Sequence, residues 1–454
     1  MQMRFSEAAG RIGARHLGMD VDFSQVSTDT RSLDPGALFV ALQGPRFDGH
    51  DHLAEARSRG AVGAMVGRTL SAGLPLLVVR DTRAGLADLA RAWRVQAGPL
   101  LLAITGSNGK TTVKEMATAI LSRCAPTLAT RSNLNNDIGL PLTLLRLQAE
   151  SFAVVELGAN HPGEIGTLSR IAVPDVALLN NAGAAHLEGF GNIEGVARAK
   201  AEILEGLREG GVLVFNADDA QAPHWRSVAG PRATRTFGMT EEADVHSPEA
   251  ELETHWRDGG FFNRFPVSTP DGDFEVELRL GGRHNRMNAL AALAACQVMG
   301  ADTRAIRAGL RGLAPVRGRL QPRPGQQGMH LIDDSYNANP DSVAAAIQVL
   351  ASAPGRRFLV LGDLAELGTD AAAQHARLGE VARAAGLDHL YAVGPMSRSA
   401  VERFGPGGCW LEDQPRLIDA LLRDAGADDF LLIKGSRASA MDKIAEALAS
   451  QGDD

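Results

Sequence analysis

The sequence predicts an α/β protein of three domains: a small mixed N-terminal domain, a central parallel-sheet domain built on a phosphate loop, and a C-terminal α/β domain. Three observations predict it. The chain has 454 residues, and about 150 residues per domain is the usual scale. From residue 98 onward, apolar runs of strand length alternate with helix-like segments, the pattern of βαβ units. One of those runs, Leu100-Leu101-Leu102-Ala103-Ile104, leads through Thr105-Gly106-Ser107-Asn108-Gly109-Lys110-Thr111-Thr112 into a helix-like stretch.

That strand–turn–helix suits an anion. Glycines let backbone N–H groups close around phosphate, and the helix N-terminus adds a favourable dipole. Lys110 supplies a point charge, and Thr111 offers a hydroxyl to a metal. The general phosphate-loop pattern has glycine where Ile104 stands, so this is a shortened variant.

Composition narrows the function. A hydrophobic fraction of 44% and a charged fraction of 22% are ordinary for a globular chain. A net charge of -8 argues against nucleic acid as a main partner, because no basic field exists to release counterions. Cys124, Cys296 and Cys409 are too scattered for a disulfide framework or a metal-ligand spacing. With no apolar leader in Met1–Glu7 and no membrane-spanning run, a cytoplasmic location is expected.

Residues 1–97 are expected to form the first domain, with strands at Leu38–Leu42, Gly63–Val66 and Leu76–Val79. Two polar clusters interrupt them. Ser27-Thr28-Asp29-Thr30-Arg31 either reads a sugar or nucleotide diphosphate or is a capped turn, since the same residue types favour both. The second cluster is Arg46–His52, with Phe47, Asp48, Gly49 and His50 at its centre.

Residues 98–313 are expected to form the central domain. Strands are predicted at Leu100–Ile104, Phe152–Val155, Val176–Leu179 and Val212–Phe215. Ligands gather at the carboxyl ends of such strands. Lys110 and Thr111 follow the first run, Glu156 ends the second, and His186 lies beyond the third. Lys200 falls on the apolar stripe of a helix predicted over Ile193–Leu207, four residues after Val196 and three before Ile203. A lysine there snorkels, pairs with an acid, or is carbamylated by CO₂, which would give it carboxylate-like oxygens for Mg²⁺. Residues 220–280 read as a sheet meander without chemistry. His284 and Asn288, at the start of an alanine-rich helix, either face a base or belong to an N-cap.

Pro315–Arg319 is a linker, and residues 314–454 are expected to form the third domain. Its strand candidates are Met329–Ile332, Phe358–Leu361, Leu390–Val393 and Phe430–Ile433. It lacks a phosphate loop of its own, which suits a substrate-binding or closing domain.

Together these motifs resemble the Mur ligase family over nearly the whole chain. They comprise Ser27–Arg31, Leu38–His50, Thr105–Thr112, Asn133–Asn136, Glu156–Glu164, His186–Lys200, His284–Asn288, Asp333–Pro340 and Lys434–Arg437. The shortened loop is the family's own form. Tyr336–Pro340 and Gly362–Gly368 are similar to the member that adds a dipeptide. The Asp-Asn-Pro-Arg motif with which the diamino-acid-adding relative holds its amino acid is missing.

The resemblance implies a central P-loop ATPase domain and a Rossmann-like third domain. It implies an ATP-dependent amide-bond ligase that joins D-alanyl-D-alanine to UDP-N-acetylmuramoyl-tripeptide through an acyl phosphate, in peptidoglycan precursor synthesis. By position, Lys110 would take the β- and γ-phosphates, within a loop of Gly106, Ser107, Asn108, Gly109, Thr111 and Thr112. Thr111 and Glu156 would hold one Mg²⁺, and His186 with carbamylated Lys200 a second. His284 and Asn288 would lie near adenine, Asp333 near ribose and Arg319 near the phosphates. Ser27, Thr28, Asp29, Thr30 and Arg31, with Phe47, Asp48, Gly49 and His50, would bind UDP and sugar. Asn135 and Asn136 would face the peptide, and Asn337 and Asn339 the dipeptide. A monomer is expected.

Overall fold

The strand Leu100–Thr105 lies near the middle of a seven-stranded sheet, and the phosphate loop leaves from its carboxyl end. The computed structural model describes residues 1–71, 73–183, 187–248 and 254–450. In the central sheet the order is Thr127–Ala129, Phe152–Glu156, Leu100–Thr105, Val176–Leu179, Val212–Asn216, Ala233–Gly238 and Val245–His246. Every pairing is parallel. From Leu100–Thr105 the chain runs to the edge strand Thr127–Ala129, returns through Phe152–Glu156 and crosses to Val176–Leu179 on the other side, so the crevice beyond Leu100–Thr105 is the switch point at which such sheets bind ligands. Register places Ile104 opposite Glu156 and Thr105 opposite Leu179.

Both faces of this sheet are covered, which is why its strands read as unbroken apolar runs. Leu101 and Ala103 join one buried cluster, Leu102 and Ile104 another. The second includes residues of the helices Lys110–Leu121 and Arg283–Val298. The alanines of Arg283–Val298 are buried along its length, so small side chains give close packing.

Two smaller parallel sheets flank the central one. The first has the order Arg15–Leu17, Leu76–Val78, Gly63–Val66, Ala37–Val40 and Gln25–Ser27, antiparallel at Arg15–Leu17 only. The helix Thr82–Ala97 ties this unit to the centre. Trp93 donates to the Leu147 carbonyl at 3.0 Å, and buried Arg94 pairs with buried Asp175 at 2.8 Å. The C-terminal sheet has the order Gln321–Pro324, His330–Asp334, Phe430–Lys434, Arg357–Gly362, His389–Val393 and Gly408–Leu411, antiparallel only at its first pair.

Some expectations need correction. Residues 220–280 are not all meander: a helix at Ala222–Ala229 and the two outer parallel strands precede the antiparallel strands Thr254–Arg257, Gly260–Val267 and Phe274–Leu278. The helix at Ile193 ends at Ala201 and passes into a 3₁₀ turn, Glu202–Glu205. Ile193 is exposed, so the apolar stripe begins at Val196. Among the described residues no helix is long and apolar enough to cross a membrane.

Candidate functional site

A cleft of about 1330 Å³ opens at the carboxyl end of the central sheet. The phosphate loop forms its floor, and residues after the C-terminal strands form the opposite wall. Gly109 is needed at the loop's end. Its φ is 79°, and a Cβ there would lie 2.3 Å from Asn288 Oδ1. Gly109 also caps the helix Lys110–Leu121 without a side chain, which leaves the amides of the first turn for an anion.

Lys110 is folded over the loop. Its Nζ donates to the carbonyls of Gly106 at 2.6 Å and Ser107 at 3.2 Å. Burial lowers its pKa, with Glu156 opposing the shift and Arg319 adding to it. One residue on, Thr111 donates to Glu156 Oε2 at 2.8 Å and accepts from Arg319 at 3.0 Å. The other Glu156 oxygen accepts from Asn135 Nδ2 at 2.8 Å. A hydroxyl and a carboxylate thus meet beside an ammonium. These are oxygen donors of the kind Mg²⁺ prefers, so the residues fit such an ion. Among the described residues no group of three or more His, Cys, Asp or Glu side chains makes a ready-built metal cage.

Glu156 is held from behind as well. Its backbone N–H donates to Thr130 Oγ1 at 3.1 Å, and the Thr130 carbonyl accepts from buried Lys114 at 2.8 Å. Lys114 lies one helical turn beyond Lys110, so it ties the helix carrying Lys110 and Thr111 to the segment that braces Glu156.

Lys200 is 2% exposed, with its ammonium 5.4 Å from the centre of the Phe190 ring. Burial, then the like charge of Lys110, brings its pKa down to about 7, against opposing pulls from Glu202, Glu164 and Glu156. It sits within the field of Lys110 and Glu156 but is not among the residues lining the cleft. His186 lies outside the described residues.

His284, Asn288, Asn135, Asn136 and Arg319 all line the cleft. Asn180 donates to Asn288 Oδ1 at 3.0 Å and to the Asn108 carbonyl at 2.9 Å, linking the alanine-rich helix to the loop. Burial, then Lys434, holds the His284 imidazolium down to about 4. That group is charged more readily in the unfolded chain, so its contribution is intact above about pH 6.5 and is lost as pH falls toward 4. His284→Asn is expected to flatten the fall of melting temperature across that window; parallel curves for variant and wild type would contradict this.

The third unit reaches into the phosphate loop. Asn339 Nδ2 donates to Asn108 Oδ1 at 2.8 Å while its Oδ1 caps the helix Pro340–Ala351 by accepting from Ser342 N–H at 2.9 Å. The Asn337 side chain accepts from the Arg437 N–H at 3.3 Å. The Arg319 guanidinium lies 4.4 Å from the Tyr336 ring centre.

Two expectations are displaced. Asp333 does not line the cleft; it accepts from Ser335 and pairs with Arg323. Its neighbour Asp334 lines it instead, held by Lys434 at 2.5 Å. Adjacent strand residues point to opposite faces, and spacing alone did not choose between them. Ser27–Arg31 line neither described cavity. Asp29 caps a 3₁₀ turn there, and its hydrogen bonds from Arg31 hold its carboxyl at about 2. Nearby, Phe47 is exposed, and Asp48 caps the Gly49–His52 turn. His50 alone of that cluster lines a second cavity, accepting from Gly67 N–H at 2.9 Å with its Nδ1 on Asp48. Sequence reasoning gave no role to Asn180, Asp334 or Lys114; the first two carried a signal, their place at a strand end, and Lys114 carried none.

Comparison with known proteins matches the chain along most of its length. Residues 22–94 match the Mur ligase family catalytic domain, 104–296 the Mur ligase middle domain, and 318–437 the Mur ligase glutamate ligase domain. The UDP-N-acetylmuramoyl-tripeptide–D-alanyl-D-alanine ligase of Escherichia coli is 46% identical over 100% of this chain and 99% of its own. The crystal structure of MurF from Acinetobacter baumannii superposes with a TM-score of 0.90 at 36% identity, covering 98% of each chain. MurF ligase from Thermotoga maritima, solved in complex with ADP, gives 0.82 at 30% identity over 93% of this chain and 96% of that one. With these matches spanning the three largest sheets, the chain belongs to the Mur ligase family.

Proposed function

We propose that this chain is an ATP-dependent ligase that joins D-alanyl-D-alanine to UDP-N-acetylmuramoyl-tripeptide, a step of peptidoglycan precursor synthesis, acting as a cytoplasmic monomer. The observation that carries the reading is the convergence of Lys110, Thr111 and Glu156 with Arg319 and Asn339 of the C-terminal part in one cleft. Residues 1–97, 98–313 and 314–454 act as the UDP-sugar-binding, ATP-binding and dipeptide-binding domains.

A carboxylate does not acylate an amine at neutral pH without activation. The terminal carboxylate of the tripeptide attacks the γ-phosphorus of ATP; the bond to the bridging oxygen breaks, leaving an acyl phosphate and ADP. The two anions repel each other. Lys110, freed from the Gly106 and Ser107 carbonyls, neutralises the equatorial oxygens, with Arg319 beside it. Thr111 and Glu156 would hold one Mg²⁺, and His186 with carbamylated Lys200 a second, and the ions would supply further charge screening when bound. The neutral amine of the dipeptide then attacks the acyl carbon, phosphate leaves with the C–O bond pair, and the amine proton passes to solvent or phosphate. Asn337 and Asn339 bring the wall that excludes water from the acyl phosphate.

The test is phosphate release from ATP with the UDP-tripeptide present, with and without D-alanyl-D-alanine. Release should depend on the dipeptide and match amide formation one to one. Turnover indifferent to the dipeptide would point to a simple phosphotransferase and defeat the ligase reading.

A further inference from the structure

Besides the cleft there is a smaller cavity of about 390 Å³ on the N-terminal unit, lined in part by Gln43, Gly44, His50 and Gly67. Among the described residues, Arg83 is the one that lines both. It stands in the first turn of the helix Thr82–Ala97, and its guanidinium pairs with Asp137 at 3.2 Å. Asp137 follows directly on Asn135 and Asn136. The ion pair therefore spans from the first unit to the loop whose Asn135 holds Glu156. Both partners are about half exposed, 55% for Arg83 and 41% for Asp137, so the pair is exchangeable rather than locked.

The helix start offers an anion little else. Asp81 accepts from the N–H groups of Arg83 and Ala84, at 2.7 and 3.1 Å. Of the two guanidinium groups that line the smaller cavity among the described residues, Arg80 and Arg83, only that of Arg83 also lines the cleft, and it can bind a carboxylate through two parallel N–H groups.

We propose that Arg83 is a specificity residue for the acceptor substrate, exchanging Asp137 for a free carboxylate on the peptide stem as that stem passes from the smaller cavity to the cleft. The proposal rests on the ligase reading above. A UDP-linked peptide with its nucleotide on the N-terminal unit and its reacting carboxyl at Lys110 has to cross the boundary that Arg83 occupies. A second Acinetobacter baumannii structure, 35% identical to this chain, is that of a UDP-N-acetylmuramoylalanyl-D-glutamyl-2,6-diaminopimelate–D-alanyl-D-alanyl ligase. A glutamyl residue within such a peptide is joined through one of its two carboxyls and leaves the other free, and that is the anion within reach at the boundary. The alternative anion is the diphosphate.

The experiment measures binding of UDP and of UDP-tripeptide to the full-length chain by calorimetry, and KM for all three substrates, in wild type, Arg83→Gln and Arg83→Lys. Loss of one charged hydrogen-bonding contact corresponds to roughly tenfold or more in affinity. Arg83→Gln should weaken UDP-tripeptide by that factor, leave UDP within about twofold, and leave KM for ATP and dipeptide unchanged; Arg83→Lys should fall between. Equal weakening of UDP and UDP-tripeptide overturns the proposal by placing the guanidinium on the diphosphate. Unchanged binding of both overturns it as well. The binding arm needs no turnover, so it stands apart from the dipeptide-dependence test that decides the ligase reading itself.

Discussion

Replacing Lys110 by alanine is expected to lower turnover by about 10²–10³-fold, the loss typical when one preorganised charge donor is removed from a transition state. The geometry explains why so much depends on one side chain. Its ammonium sits on the carbonyls of Gly106 and Ser107, inside the loop that receives phosphate. Desolvation disfavours the charge, yet the side chain is half-buried and faces the cleft, where a phosphate can reach it. Melting temperature should hold or rise, because a desolvated ammonium has been removed. Single-turnover acyl-phosphate formation measures the effect directly, and a variant within threefold of wild type would remove Lys110 from the chemistry.

Lys200 is expected to show the second large effect. Lys200→Ala should lose nearly all activity, and formate or acetate should restore part of it by supplying a small carboxylate where a carbamate would stand. Full activity in the variant would exclude the carbamate. An independent signature lies in stability. With a folded pKa of about 7 against 10.5 unperturbed, the unfolded chain binds more protons between those limits. In CO₂-depleted buffer wild-type stability should therefore gain from this group as pH rises from 7 toward 10, and the full cost of the buried charge should be felt below 7. Lys200→Met lacks that slope. It should melt above wild type at pH 7, with the gap closing at higher pH; parallel melting curves would mean that the ammonium is not buried as described.

Lys200 was legible in the sequence because it violates a pattern: a cation on an apolar stripe demands an explanation. The central strands were legible for the opposite reason. Parallel strands covered on both faces leave continuous apolar runs, and Leu101 through Ile104 go to two different cores. Short elements such as Thr127–Ala129 and Val245–His246 carry too few residues to show a period, and Ala222–Ala229 lies in a stretch of mixed polarity. Ser27–Arg31 shows the limit at the site. Hydroxyls, a carboxylate and an arginine that suit a ligand also suit a turn, and the hydrogen bonds of Asp29 close the turn. Contacts across hundreds of residues leave no trace in spacing. Nothing local tells Asn339 that its partner is Asn108.

That side chain has a consequence of its own. One amide group faces two ways, its oxygen on the first turn of Pro340–Ala351 and its nitrogen on the phosphate loop. Its orientation satisfies both only when loop and wall are in place together, so it acts as a coincidence detector. A change that rotates this amide away from Asn108 also takes its oxygen off the Ser342 N–H, so loop contact and helix cap are coupled to the extent that they share one rotamer, equally in both directions. The phosphate loop and the helix start on the C-terminal wall thus share one amide as their common fastening.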